Sequence, residues 1–593
     1  MITSLSFKKR ESFVGEVFPV LLEGDGLRHA DIRWTLNGAR ALMRGFSEEC
    51  GGFSDGILVT PLEEGVISVT AELSGECYTS EISVRPTKRA EGGRLNYYIA
   101  DLHCHTSMIH DCELYSRDGE ASQRDYIAFL KDEGKMDLSV ISDHADVIDA
   151  RAFFRGFAEA EKEKDMRTVI LPGAESEITL IENDRFGYPH KNSGEIVTLN
   201  SDNFASVRNH GEFFERLSTS PYAICILAHP QIIGFDRNGI WNFSLDKHRE
   251  DGFDRLIKLI EIGNGTDRES NILNEFVYSF ALDNGFRVST TCSSDNHEAP
   301  WGVKGFPGKT VVMAPERSKE AFIDALLSGR CYCCESGNVK LYCEINGKPL
   351  PADLDPATEY TVVAELDYFE DIPDTHPVTC EIVTDYGKVA AEVDATGKKR
   401  LEIRIRDGRA RWFYLRLRDA EGRKTLSPPA YTGRAYDMAV VGEPQYLDKS
   451  RMTAKDLISG ADASALINGN PDEPWKTELG RADVLIDLGE EREVSALAHY
   501  PWRIFRWAGV EASVNFAALV SDYEISLSQN GEDFTKVAEG AIRIYGGEVL
   551  IRFERQRARY LRFIAKSNVG AACRIKKYDN CPLVIGELSP AII

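Results

Sequence analysis

The sequence predicts a multidomain α/β plus all-β chain: a parallel sheet or (β/α) barrel with β-sandwich domains before and after it. Three observations carry that reading. At 593 residues the chain exceeds what one ordinary core organises. Between about residues 96 and 337, apolar strand-like runs alternate with helical segments. On either side the pattern changes to period-two alternation broken by Gly and Pro.

Residues 1–95 read as an immunoglobulin-like β-sandwich, because "ADIRWTLNG", "GILVTPLEEGVISVTAEL" and "CYTSEISVRP" alternate apolar and polar positions between turn residues. In residues 96–337 the strands are "LSVISDH", "TVILPGAE", "AICILAHP", "LIKLIEIGNG" and "RVSTTCSSDNH". The helices between them include "ASQRDYIAFLKDEG", "ARAFFRGFAEAEKEK" and "KEAFIDALLSGR". Residues 338–440 return to strands ("KLYCEINGKPL", "EYTVVAELDYF", "WFYLRLRDAEG") as a second β-sandwich, and residues 450–593 are again all-β.

Composition excludes some functions. With 43% hydrophobic, 10% aromatic and 28% charged residues the chain buries large cores rather than remaining disordered. Its 94 acidic against 70 basic residues give a net charge of -24, so neither nucleic acid nor an anionic membrane is an expected partner. The start "MITSLSFKKRESFVGEVFPVLLEGDG" lacks a signal-peptide pattern and no apolar run is long enough to span a bilayer, so the expected compartment is the cytoplasm. Among 13 cysteines, the cluster "CYCC" (Cys331, Cys333, Cys334) lacks the second pair of a zinc knuckle and reads as reduced structural thiols.

The polar chemistry collects where strands end. Most of the 12 histidines lie between residues 103 and 297. His103 and His105 in "YIADLHCHTSMIHDC" are two apart and share one side of an extended chain. Asp143 and His144 end "VISDH", Glu175 ends "VILPGAE", His229 ends "CILAH", and Asp295 and His297 follow "STTCSSDNH". In a (β/α) barrel such ends converge on one mouth. Mixed imidazole and carboxylate ligands suit zinc, manganese or iron, and two to three such divalent ions provide hydroxide at neutral pH and clamp the oxygens of a transferring phosphoryl group.

Residues 96–337 resemble the polymerase and histidinol phosphatase (PHP) superfamily of metallohydrolases, through "DLHCHT", "SDH", "LAHP" and "SSDNH". The run "SSDNHEAPWGVKGFPGKTVVMAPERSKEAFIDALLSGRCYCCESGNVKL" is similar to the carbaryl-hydrolase-like branch. The resemblance implies a distorted (β/α)7 barrel whose metal ligands are His103, His105, His144, Glu175, His229, Asp295 and His297, with His190 of "GYPHKNSGEI" at a further family histidine. It also implies a ligand seven or eight residues after the first histidine. His110 and Asp111 both qualify, Asp111 is preferred, and Asp118 of "SRDG" is the rival if the loop carries an insertion. Asp111 and His190 double as catalytic candidates. Glu261 and Arg268 follow a strand end and are further catalytic candidates at the mouth. His210 and His248 lack motif support and read as surface residues.

Residues 450–593 resemble a discoidin, or coagulation factor 5/8 type C, domain through "LINGNPDEPWKT", "VLIDLG", "YEISLSQNGEDF" and "ARYLRFIAKS". That family implies a jelly roll common in carbohydrate-active proteins, with Trp502, Arg503 and Trp507 as candidate sugar contacts or as packing against a neighbouring domain. The expectation is a metal-dependent hydrolase, foremost a phosphoesterase, acting on a small-molecule or glycan substrate. An ester, carbamate or amide hydrolase and a non-catalytic glycan-binding protein are the alternatives.

Overall fold

The computed structural model describes residues 2–6, 11–24, 27, 31–45, 55–90, 95–106, 123–132, 135–145, 157–158, 167–183, 189–202, 207–230, 252–265, 268–283, 285–297, 301, 307–434, 444–471, 473–501, 518–542, 548–572 and 580–593. The N-terminal part pairs two four-stranded sheets. One runs Ile2–Ser6, Phe18–Gly24, Gly56–Pro61, Ala41–Gly45, and the other Glu11–Phe13, Glu76–Arg85, Gly65–Leu73, Arg33–Gly38. Alternate residues turn inward, so Val20, Val59, Ile67, Val69 and Ile82 share one core. This sandwich is tied to the central part by Arg85, which donates to both Glu320 oxygens at 2.8 and 2.7 Å, and by Thr60 Oγ1 donating to Asp202 at 3.0 Å.

The central part contains, in chain order, β1 (Asn96–Asp101), α1 (Gln123–Asp132), β2 (Leu138–Ile141), β3 (Val169–Asn183), β4 (Pro189–Leu199), α2 (His210–Leu217), β5 (Ile224–Leu227), β6 (Ile257–Asn264), α3 (Arg268–Asp283), β7 (Ser289–Ser293), β8 (Lys309–Ala314), α4 (Lys319–Leu327) and β9 (Cys331–Cys334). The strand path is β7-β6-β5-β4-β3-β2-β1-β8-β9. β1 with β2, β2 with β3, β5 with β6 and β6 with β7 run parallel, whereas β4 is antiparallel to β3 and β5. The all-parallel expectation fails at β4 for a physical reason. Residues 184–188 are too short a connection for a parallel crossover, which needs a dozen residues or more.

The path curls back on itself, bringing the segment after β7 beside the segment after β1: Asp295 N–H donates to the His103 carbonyl at 2.9 Å and His105 N–H to the Asn296 carbonyl at 3.1 Å. On the inner side Ala100, Val140, Leu171, Val197, Ile226 and Leu259 pack together. On the outer side Ile260 and Ile262 pack against Phe213, Val277 and Phe280 of α2 and α3. Gly173 is needed where β2 and β3 approach, because a Cβ there would lie 2.3 Å from Val140 Cγ1. Asn209 caps α2 by accepting from Glu212 N–H at 3.0 Å, and Ser318 caps α4 through Ala321 N–H at 3.2 Å. His210, expected at the surface, is instead buried in the first turn of α2 against Phe214 and Phe253, so its ring serves as core.

The sheet does not stop at residue 337. Cys334 of β9 pairs with Thr425, and the path runs on through Trp412–Asp419, Pro377–Thr384 and Lys388–Asp394. A second sheet of Lys348–Pro349, Val339–Ile345, Tyr360–Tyr368 and Arg400–Ile405 completes a sandwich. Trp412 and Tyr414 join Tyr278 and Phe280 of α3 in one core, so the two parts share their packing. Beside that core Arg416 bridges Glu275 at 2.6 Å and Glu381 at 2.5 Å, and Lys424 reaches Glu275 at 3.1 Å. The "CYCC" thiols are buried and free.

The C-terminal part is an antiparallel β-structure ordered Gln445–Tyr446, Val584–Ile592, Ala482–Pro501, Val549–Ala565, Asp522–Ser528, Thr535–Ala541, with Thr453–Asp456 and Trp475–Lys476 added at its sides. Its core gathers Leu466, Val484, Ile486, Leu561, Phe563 and Leu588, and Phe276 of α3 enters the same core. Among the described residues no helix is long and apolar enough to cross a membrane.

Candidate metal centre

Four parallel strand ends and the segment after β1 deliver the polar groups to one place. His103 and His105 follow β1, and their Nε2 atoms lie 3.0 Å apart. The segment is held by Asp143, which accepts from Thr106 N–H at 2.6 Å and Thr106 Oγ1 at 2.8 Å, and by Trp301 Nε1 donating to the His105 carbonyl at 2.7 Å. His144 lies beside Glu175 in a parallel bridge, with Nδ1 3.4 Å from Glu175 Oε2. His229 and Asp295 adopt positive φ, 24° and 46°, backbone strain of order 1–3 kcal/mol each, which is found where a site over-determines its residues.

Glu175 lies at the middle of the cluster. Its Oε1 is 3.2 Å from His103 Nε2 and 3.3 Å from His229 Nε2, and its Oε2 is 3.3 Å from His105 Nε2. Asp295 Oδ1 is 3.1 Å from His105 Nε2 and 3.4 Å from His103 Nε2, and His297 Nδ1 lies 3.6 Å from it. Four overlapping sets have ligand atoms within 4.8 Å of one another: His103, His105, Glu175 and Asp295; His105, His144 and His297; His144, Glu175 and Glu195; and His103, His229 and Glu261.

The electrostatics of this cluster call for positive charge. Burial pulls His103 down, but Glu175, Asp295 and Glu261 outweigh it and raise its pKa well above the ordinary value. His105 and His229, also opposed by burial, are raised to about 9 by their carboxylate neighbours. Glu175 and Asp295, despite burial, are held well below the carboxylate range by the imidazoles. His297 is lowered to about 4 by burial and by His105, which keeps it a neutral donor.

Divalent ions fit these residues. Among the described residues Glu175 Oε1, Asp295 Oδ1 and His105 Nδ1 are buried without a properly aligned hydrogen bond, although imidazole nitrogens stand within 3.4 Å of both carboxylate oxygens. Lone pairs that crowd a common centre without bonding one another are what a ligand set requires.

Glu261, expected as a catalytic group at the mouth, is fully buried and engaged. It faces His103 Nδ1 at 3.2 Å and accepts from His229 N–H at 2.9 Å and Asn264 Nδ2 at 3.0 Å. It therefore orients His103 so that Nε2 faces the cluster, as a carboxylate behind a ligating histidine does. Asn264 Nδ2 also reaches Asp295 Oδ2 at 3.1 Å, joining the two strand ends.

His190 is displaced from the cluster. It pairs with Glu182 near the tip of the β3–β4 ribbon, five residues from Glu195, which corresponds to ~17 Å along a strand. The residue that β4 contributes is Glu195, 3.4 Å from His229 Nε2. No sequence motif marks Glu195, which lies within an antiparallel strand rather than at a parallel strand's end. His110, Asp111, Asp118, Trp502, Arg503 and Trp507 lie outside the described residues, as does the side chain of Arg268 at the start of α3.

Residues 451–576 match the family model of the F5/8 type C domain. No match was found among the curated proteins. Similar solved structures include the module CpGH89CBM32-5 from Clostridium perfringens in complex with GalNAc-beta-1,3-galactose, at 19% identity and TM-score 0.20 over 25% of this chain and 99% of that one. The family 32 module of C. perfringens NanJ, in complex with galactose, aligns at 24% identity and TM-score 0.20 over 25% of this chain and 100% of that one. The C-terminal domain of a chitobiase from Bacteroides fragilis aligns at 15% identity and TM-score 0.19 over 25% and 100%. The C-terminal β-structure is thus an F5/8 type C domain, carried on a chain whose other parts extend well beyond it.

Proposed function

We propose that the central part is a metal-dependent hydrolase of the PHP type, foremost a phosphoesterase, and that the F5/8 type C domain attaches it to a carbohydrate-bearing target. The observation that supports the first half is the cluster around Glu175, in which five imidazoles and two further carboxylates, Glu195 and Asp295, converge, with Glu175 Oε1 and Asp295 Oδ1 lacking a hydrogen-bond partner among the described residues. His103, His105, His144, Glu175, Glu195, His229, Asp295 and His297 would hold two to three ions, and Glu261 would keep His103 in the ligating tautomer. Divalent ions bound here supply Lewis acidity and a water-derived nucleophile at neutral pH. The chain's own contribution is placement. Glu175 and Asp295 each face several imidazoles and would share with them in holding the ions, and Asn264 fixes Asp295 against Glu261. The second half rests on the family match of residues 451–576.

The same match favours a second reading, a non-catalytic glycan-binding protein. Metal-loaded protein assayed on p-nitrophenyl phosphate, bis(p-nitrophenyl) phosphate and p-nitrophenyl acetate separates the two. Phosphoester turnover that disappears in His105→Ala supports the hydrolase, and acetate turnover alone moves it to the carboxylester class. Glycan binding without turnover of any substrate leaves the second reading.

A further inference from the structure

A cavity of about 350 Å3 lies away from the metal cluster, between the outer face of β6 and β7 and the second sandwich. Strand alternation sets its place. Leu259 and Glu261 face the inner side of the path, so Lys258, like Ile260 and Ile262, faces the outer side, and three residues of β6 put Lys258 ~10 Å along the strand from Glu261.

Two cations flank the cavity. Lys258 is half-buried, and among the described residues no carboxylate pairs with it; Asp254 acts on it only from beyond ion-pair distance. Arg287 lies 4.2 Å above the Tyr431 ring and pairs with the exposed Asp353 at 2.7 Å. The Lys258 pKa is lowered, first by burial and to a lesser degree by Arg287, against the opposing pull of Asp254. Pro351, Pro429 and Tyr431 provide apolar walls. With Arg287 offset by Asp353, Lys258 is the one cation among the described lining residues that lacks an ion-pair partner.

We propose that this cavity binds a small organic monoanion, a carboxylate on a compact apolar body, with its charge at Lys258 and its body against Tyr431 and the two prolines. The volume is that of a small-ligand site, and its walls set the apolar surface of Pro351, Pro429 and Tyr431 beside the polar groups of Lys258, Arg287, Ser289 and Asp353, so that a charged head and an apolar body are both accommodated. A single uncompensated cation matches a carboxylate in charge, whereas a phosphate dianion would leave one negative charge without a partner.

The test uses the full chain and 4-bromobenzoate as the probe. A crystal soaked with the probe should show the bromine anomalous peak inside the cavity, and calorimetric titration should give saturable binding. Lys258→Met should weaken binding at least tenfold, Asp353→Asn should strengthen it severalfold, and the distant Lys566→Met should leave it unchanged. Asp353 is exposed, so that variant keeps the test decisive should Lys258→Met fail to fold. No bromine peak in the cavity at saturating probe, or unchanged affinity in both Lys258→Met and Asp353→Asn, overturns the proposal. Tighter binding of inorganic phosphate than of the benzoate at this cavity overturns the assignment to a monoanion.

Discussion

His499 should make the F5/8 type C domain sensitive to mild acid. It is wholly buried in the strand Ala482–Pro501, and among the described residues neither ring nitrogen has a hydrogen-bond partner. Burial lowers its pKa from 6.5 to about 4. The unfolded chain takes up a proton near pH 6.5 that the folded domain refuses until about pH 4. Stability is therefore complete above pH 6.5 and is lost as the pH falls toward 4. The difference between 6.5 and about 4, at 1.36 kcal/mol per unit, amounts to about 3 kcal/mol. His499→Leu removes the titrating group and the unpaired nitrogens, so its loss of stability between pH 7 and 5 should be smaller than that of the wild type by about 2 kcal/mol, the remainder being lost below pH 5. Hydrogen exchange on peptides from residues 482–501 and 549–565, corrected for intrinsic rates, measures the opening free energy at each pH. The difference between wild type and variant isolates His499 from the other titrating groups. Equal pH slopes in the two proteins would refute the reasoning.

Other expectations follow from the same contacts. Glu261→Gln should weaken metal affinity by ~10- to 100-fold, read by competition with a chromophoric chelator, because it removes the carboxylate 3.2 Å from His103 Nδ1. Glu195→Ala should lower metal content while His190→Ala leaves it unchanged, as elemental analysis would show, since only Glu195 lies beside His229. Arg416→Met should cost ~1.5–3 kcal/mol in urea unfolding, because it removes the guanidinium that Glu275 and Glu381 share and leaves them with Lys424 and Arg418 alone. Deleting residues from about 440 onward should preserve metal content and small-substrate turnover, but it uncovers Phe276, so the truncated protein should be more soluble with Phe276→Ser. A truncated, folded protein with full metal content and poor turnover of the small substrate would place the C-terminal domain at the active site instead.

The residues that were legible in the sequence share one cause. His144, Glu175, His229 and Asp295 lie at or just beyond the C-terminal ends of parallel pairings, or within such a pairing in the case of Glu175, and a parallel arrangement turns distant strand-end residues into neighbours. The opening "HCH" works similarly, because two residues at a spacing of two on extended chain face one centre. Glu195 escaped because β4 is antiparallel, and its contribution comes from mid-strand, where no turn or motif marks it. His190 was a better match by residue type yet falls five residues along the ribbon, a displacement that only the register of β3 and β4 reveals. Glu261 was noticed, but a carboxylate behind a histidine and a carboxylate at the mouth have the same one-dimensional signature. Their difference is the burial and the bonds to His103, His229 and Asn264. Composition shifts marked a change near residue 337, but the pairing of Cys334 with Thr425 and the packing of Trp412 on α3 are long-range contacts that alternation alone does not encode.

Elemental analysis of the full chain, purified without chelator and then dialysed, is the measurement closest to the central claim. The arrangement around Glu175 predicts at least two transition-metal ions per chain, falling below one in the double variant His105→Ala and Glu175→Ala. A folded protein that holds no metal under those conditions, and takes up none from zinc, manganese or iron, would contradict the assignment of this cluster as a metal centre.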